Sequence, residues 1–158
     1  MKFQAAVFAA LVSALALLFV GCVPGKYVAK ENEELYGTWT NDTYFEFQEI
    51  VYFANNCNWY QRVGNPAPTI EGSLEITSKW KDAEGNIWYK YVDTNVGGIW
   101  GNKGVQHVSL AKLSNDATVL ELVYTLPMNE QETKVPVYPT SLDPKRYNYY
   151  GLYHRAVK

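Results

Sequence analysis

Glu49 is the residue whose placement most demands a chemical explanation. From Tyr44 to Phe53 the chain alternates, with Phe45, Phe47, Val51 and Phe53 on one face of an extended strand and Glu46 and Gln48 on the other. Glu49 falls in phase with the apolar face, so an unbroken strand carries a carboxylate into an apolar interior. Taking an unpaired carboxylate out of water costs several kcal/mol, so such a group needs a donor, a raised pKa or a bound polar group. The alternative is a β-bulge at Gln48-Glu49 that turns the side chain back to solvent.

Aromatic residues supply the second set of candidates. Five Trp and thirteen Tyr all lie beyond residue 21, and each offers an apolar body with a polar tip. Trp88, Tyr89 and Tyr91 place rings on both faces of one strand. One of those faces must line the interior, either as plain core or as the wall of a ligand site. Trp100 follows Gly97-Gly98-Ile99 and precedes Gly101. A large ring on such a loop is costly in water unless it lies over an opening in the fold or against a partner. The candidate ligand contacts are therefore Glu49, Phe47, Trp88, Tyr91 and Trp100.

Other chemistries find little support. His107 and His154 fall on separate predicted strands with no third metal ligand in the pattern, which makes them structural. Cys57 sits beside a turn and reads as a small buried hydrophobe rather than a nucleophile, which would need a nearby base. The glycine-rich segment after Asn95 lacks the Gly-Lys-Ser/Thr ending of a phosphate loop. No Ser-His-Asp order or paired-carboxylate spacing stands out, so neither an enzyme nor a cofactor is expected. The chain has a net charge of −2 and no basic cluster longer than Lys145-Arg146, which argues against nucleic-acid binding.

The elements that must position these residues are nearly all strands. Ser73 to Trp80 alternates, with Leu74, Ile76 and Trp80 expected inward against Glu75, Thr77 and Lys79. Asn55-Asn56, Asp82 to Asn86 and Ser114 to Ala117 are turn signals between strands, and Gly64 to Pro68 is a break. Glu31 to Leu35 has room for a single helical turn, and Lys134 to Tyr138 for a short strand. The even spacing of hairpins predicts an all-β fold, an up-and-down antiparallel β-barrel of about eight strands, with a β-sandwich as the alternative.

The amino terminus carries Lys2, an apolar stretch from Phe3 to Val20 and then Gly21-Cys22, the layout of an export signal. Leu18-Phe19-Val20-Gly21-Cys22 resembles a bacterial lipobox, with Phe19 where most carry Leu, as in the looser spirochaete pattern. That resemblance implies cleavage before Cys22, acylation of Cys22 by chains such as palmitate, and an anchor on a bacterial membrane. Val23 in place of a retention Asp favours the outer membrane. The expected organisation is a signal peptide over 1–21, a lipidated tether over 22–34 and a barrel domain over 35–158. With Cys22 lipidated, Cys57 has no disulfide partner, so the core must hold the domain together.

Leu35-Tyr36-Gly37-Thr38-Trp39 near the start of this domain and Tyr153-His154-Arg155 at its end resemble the lipocalin pattern, and more closely that of spirochaete lipocalin-like lipoproteins. The resemblance implies that Trp39 sits at the closed base of the barrel with Arg155 packed over it, so that Gly37, Trp39 and Arg155 are structural. The lipocalin Thr-Asp-Tyr loop motif has only a faint echo in Asp93-Thr94-Asn95. The functional expectation is a membrane-anchored lipoprotein whose barrel binds a small, largely apolar ligand. The alternative is a surface or periplasmic protein-interaction module with a barrel packed solid, its protein partner unknown.

Overall fold

A computed structural model of the chain describes residues 27–44, 47–100, 102–125, 137–146 and 149–157; Cys22, the export segment and most of the expected strand at Lys134 to Tyr138 lie outside the described residues. The strands are β1 (Gly37–Tyr44), β2 (Phe47–Ala54), β3 (Cys57–Arg62), β4 (Ile70–Lys81), β5 (Ile87–Gly97), β6 (Gln106–Leu113), β7 (Val119–Tyr124) and β8 (Tyr149–Arg155). Each pairs antiparallel with the next, and β8 returns to β1, closing an eight-stranded up-and-down barrel. Closure removes the sheet edges that a sandwich would leave exposed. The Asn55-Asn56 signal forms the β2–β3 turn, with Asn56 in the left-handed region at φ 61°. Glu31 to Leu35 forms turns rather than a helix.

Alternation fills the interior. Val51 and Phe53 from β2, Leu74 and Ile76 from β4, Tyr89 and Tyr91 from β5, Leu120 and Leu122 from β7 and Tyr153 from β8 are all buried in one core. Two expectations are corrected. In β4 the register shifts between Ile76 and Ser78, so the side chains beyond it change face. Trp80, expected inward, is 40% exposed, while Lys79 turns toward Glu33. Cys57, expected as a buried hydrophobe, is exposed, because it stands where β3 leaves the turn.

One end of the barrel is sealed by the chain that precedes β1. Leu35 is fully buried, and Trp39 Nε1 donates to its carbonyl at 3.0 Å. Glu33 is buried and receives Lys79 Nζ at 2.7 Å, the Lys30 amide at 2.8 Å and a short hydrogen bond from the Tyr27 hydroxyl. Burial works against the charged form of Glu33, but the hydrogen bonds from Lys79 and Tyr27 prevail and lower its pKa. The packed domain therefore extends upstream of Leu35, to Tyr27.

Arg155 lies over the Trp39 ring, its guanidinium carbon 4.2 Å from the ring centre, and the two residues are cross-strand partners. Its Nε donates to the Ala117 carbonyl at 2.7 Å, Nη1 to the Tyr36 carbonyl at 3.0 Å and Nη2 to the Glu34 carbonyl. Gly37, at φ +136°, leaves the space in which this guanidinium lies; a Cβ there would stand 2.8 Å from Nη1. All three residues of the expected signature thus meet at the sealed end.

Trp39→Ala is expected to destabilise the domain by ~3–5 kcal/mol, as removal of a large buried aromatic does. A double-mutant cycle with Arg155→Ala, read by chemical denaturation, should give a coupling of at least ~0.5 kcal/mol. Additive effects would mean that the guanidinium–indole contact contributes nothing to closure.

Candidate functional site

At the opposite end the strands enclose a cavity of about 330 Å³. Its walls come from the start of β2 (Phe47, Glu49), the end of β3 (Tyr60, Arg62), the end of β5 (Asp93, Asn95), the start of β6 (His107), the end of β7 (Tyr124) and the start of β8 (Tyr149). Antiparallel order places all of these at one end. Beneath them Phe53, Tyr60 and Tyr91 pack edge to face, with ring centres 5.7 Å apart for Phe53–Tyr91 and 6.2 Å for Phe53–Tyr60. The recess at this end is therefore floored by aromatic rings.

Glu49 points inward, in register with Val51 and Phe53, and is 7% exposed. The bulge considered at Gln48-Glu49 occurs instead across the ladder, between Asn41 and Tyr44 of β1. Asn41 Oδ1 accepts the Glu49 amide at 3.2 Å, and the Tyr153 hydroxyl donates to Glu49 Oε2 at 2.6 Å. Tyr153 reaches it because Gly151 lies beneath its ring; a Cβ at Gly151 would fall 2.2 Å from a ring carbon. Burial pushes the Glu49 pKa up to about 7, against the opposing pull of the Tyr153 hydroxyl and the charge of Arg62.

Asp93 is the second carboxylate, and sequence reasoning passed it over as a candidate. It continues the inward series Ile87, Tyr89, Tyr91, and it is buried. No described residue donates a hydrogen bond to it, and burial alone raises its pKa to about 7. Two residues on, Asn95 Oδ1 is buried without a hydrogen-bond partner among the described residues. The signal was available in the alternation of β5, which runs from Ile87 to Gly97.

Arg62 forms the rim. Its guanidinium carbon lies 3.6 Å from the centre of the Phe47 ring and 4.6 Å from that of Trp100. Trp100 is 56% exposed but held in place, its amide donating to the Thr69 carbonyl at 2.9 Å. Phe47 and Glu49 from β2 are thus brought together with Trp100 from the loop after β5. The other two candidates stand apart from the lining. Tyr91 is fully buried in the floor, its hydroxyl near those of Tyr60, Ser109 and Tyr124 without a well-aligned bond to any described residue. Trp88 faces outward, because it alternates with the inward Ile87 and Tyr89. It stacks on Trp80 at 5.8 Å and donates from Nε1 to Asp82 Oδ2 at 2.8 Å. His107 was expected to be structural; it lines the cavity from the position opposite Asp93.

No protein-family model matches the chain, and no curated protein or solved structure shows significant similarity to it.

The two raised carboxyl pKa values set a pH dependence. Unfolded Glu and Asp titrate near ~4.3 and ~3.9, and the unfolded chain loses these protons first as pH rises. The resulting penalty is absent below those values, grows toward about 7 and is full above it. Glu33, lowered by its Lys79 partner, acts on the acid side of this window. The empty protein is expected to be more stable at pH 5 than at pH 8 in urea denaturation, and Glu49→Gln and Asp93→Asn should each reduce that difference. Carboxyl titrations by NMR that place both groups near ordinary values would remove the effect.

Proposed function

We propose that this protein is a lipid-anchored, lipocalin-like barrel that binds a small, largely apolar ligand in the cavity above Phe53, Tyr60 and Tyr91. The observation that carries the reading is the recess itself: about 330 Å³, floored by rings, with a few polar groups at fixed positions. That combination is typical of small-molecule sites, where apolar burial supplies ~25 cal/mol per Å² and polar groups orient the ligand.

Anchoring rests on the lipobox resemblance at Cys22. Acyl chains there would contribute ~0.8 kcal/mol per buried methylene, so two or more hold a protein firmly on a bilayer. Four residues lie between Cys22 and Tyr27, so the five steps from one to the other reach at most about 18 Å when extended. Tyr27 packs at the sealed end through Glu33, so such an anchor tethers that end toward the membrane. The cavity would then open toward water, and ligand would enter from the aqueous phase.

Native mass spectrometry of protein purified without detergent, from a version beginning at Gly25, is expected to detect a co-purified small molecule or a saturable complex with added apolar ligands. Failure of every such ligand to bind would overturn the binding reading. Cys22→Ser should abolish incorporation of labelled palmitate; label that persists would place acylation elsewhere and remove the anchor.

A further inference from the structure

The interior of the cavity is rich in acceptors, although Arg62 and His107 also line it. Asp93 presents a buried carboxylate with no donor from any described residue, and Asn95 Oδ1, two positions along the same strand face, is a buried acceptor with no partner among the described residues. Glu49 adds a further carboxylate, whose Oε2 accepts the Tyr153 hydroxyl. All three line the same space. Buried acceptors left without donors are costly, and several together call for a ligand that brings its own N–H groups.

Arg62 does not meet that demand. Its guanidinium is held at the rim between Phe47 and Trp100, where its charge pulls on Glu49, and its Nε has no acceptor among the described residues. Its placement instead divides the site into an aromatic–cation rim and an acceptor-lined interior. A primary ammonium, with three donors and a positive charge, matches the interior, while an attached apolar body matches the rings.

Resting on the small-ligand reading above, we propose that the cavity recognises a small organic cation, an apolar or aromatic body carrying a primary ammonium group, with Asp93 as its principal charge partner and Glu49 and Asn95 as additional acceptors. An anionic ligand would place its charge against two carboxylates and leave these acceptors unpaired. A neutral ligand of the same shape would fill the recess but supply too few donors.

The test compares three probes of one shape: 2-phenylethylamine, 2-phenylethanol and 3-phenylpropanoate. Binding to the full chain in zwitterionic nanodiscs is measured by calorimetry, with empty nanodiscs as blank, at pH 8, above the value of about 7 to which burial pushes both carboxyls. The amine is expected to bind at least about tenfold tighter than the alcohol, as one charge-assisted contact provides, and the carboxylate weakest. Asp93→Asn should remove most of the amine's advantage and leave alcohol binding unchanged. Glu49→Gln, expected to reduce that advantage in part, serves if the first variant does not fold. Equal binding of amine and alcohol, tightest binding of the carboxylate, or an advantage untouched by the substitution would overturn the ammonium assignment while leaving the small-ligand reading intact. Absence of binding by all three at millimolar concentration would overturn both.

Discussion

The barrel closes where Arg155 crosses Trp39, and the rest of the architecture depends on that seam. The β1–β8 ladder joins Trp39 to Arg155 and Thr40 to His154, a much shorter pairing than the long β4–β5 ladder. Its backbone contribution is correspondingly small. The guanidinium compensates by reaching three carbonyls, those of Ala117, Tyr36 and Glu34, while its plane covers the indole. One side chain thereby ties the last strand to the β6–β7 turn, to the first strand and to the turns before it. A cation–π contact of ~0.5–2 kcal/mol is modest, but here it is coupled to three hydrogen bonds from the same guanidinium.

Sealing one end changes what the other end can tolerate. At the sealed end the buried charges are matched: Glu33 has Lys79 and Tyr27, and Arg155 has its carbonyls. At the cavity end they are not, since Asp93 lacks a donor among the described residues and Glu49 has Tyr153 against the pull of burial. Proteins that are consistent elsewhere commonly keep such local conflicts where they act. A buried carboxylate whose charged form costs stability regains that cost when a donor arrives, and this makes such a recess chemically selective.

The same asymmetry bears on the aromatic residues. Tyr and Trp serve three distinct purposes in this fold. Tyr89 and Tyr91 fill the interior, Trp80 and Trp88 stack on the outer wall, and Trp100 leans over the rim. Composition alone makes no distinction among them. The outer pair is braced by Asp82 and flanked by Lys90 and Lys112.

Local rules were sufficient for much of this fold. Alternation with period two marks the strands, Asn and Gly mark the turns, and hairpins of even spacing make an up-and-down order the natural outcome. The inward phase of Glu49 was legible for the same reason, as was the meeting of Gly37, Trp39 and Arg155 on resemblance. What the sequence left open was settled by register and closure. A single shift between Ile76 and Ser78 moved Trp80 outward, and no side-chain pattern announces a bulge because it is a backbone event. Trp88 fell on the outer face because which of two alternating faces turns inward depends on the neighbouring strands. Arg62 and Phe47 meet across the β2–β3 hairpin, and Trp100 joins them because its amide is tied to Thr69, just before β4. Asp93 acquired its significance from what surrounds it. A sequence records that a carboxylate is present and on which face of a strand it lies, whereas the absence of a donor is a property of the packed interior alone.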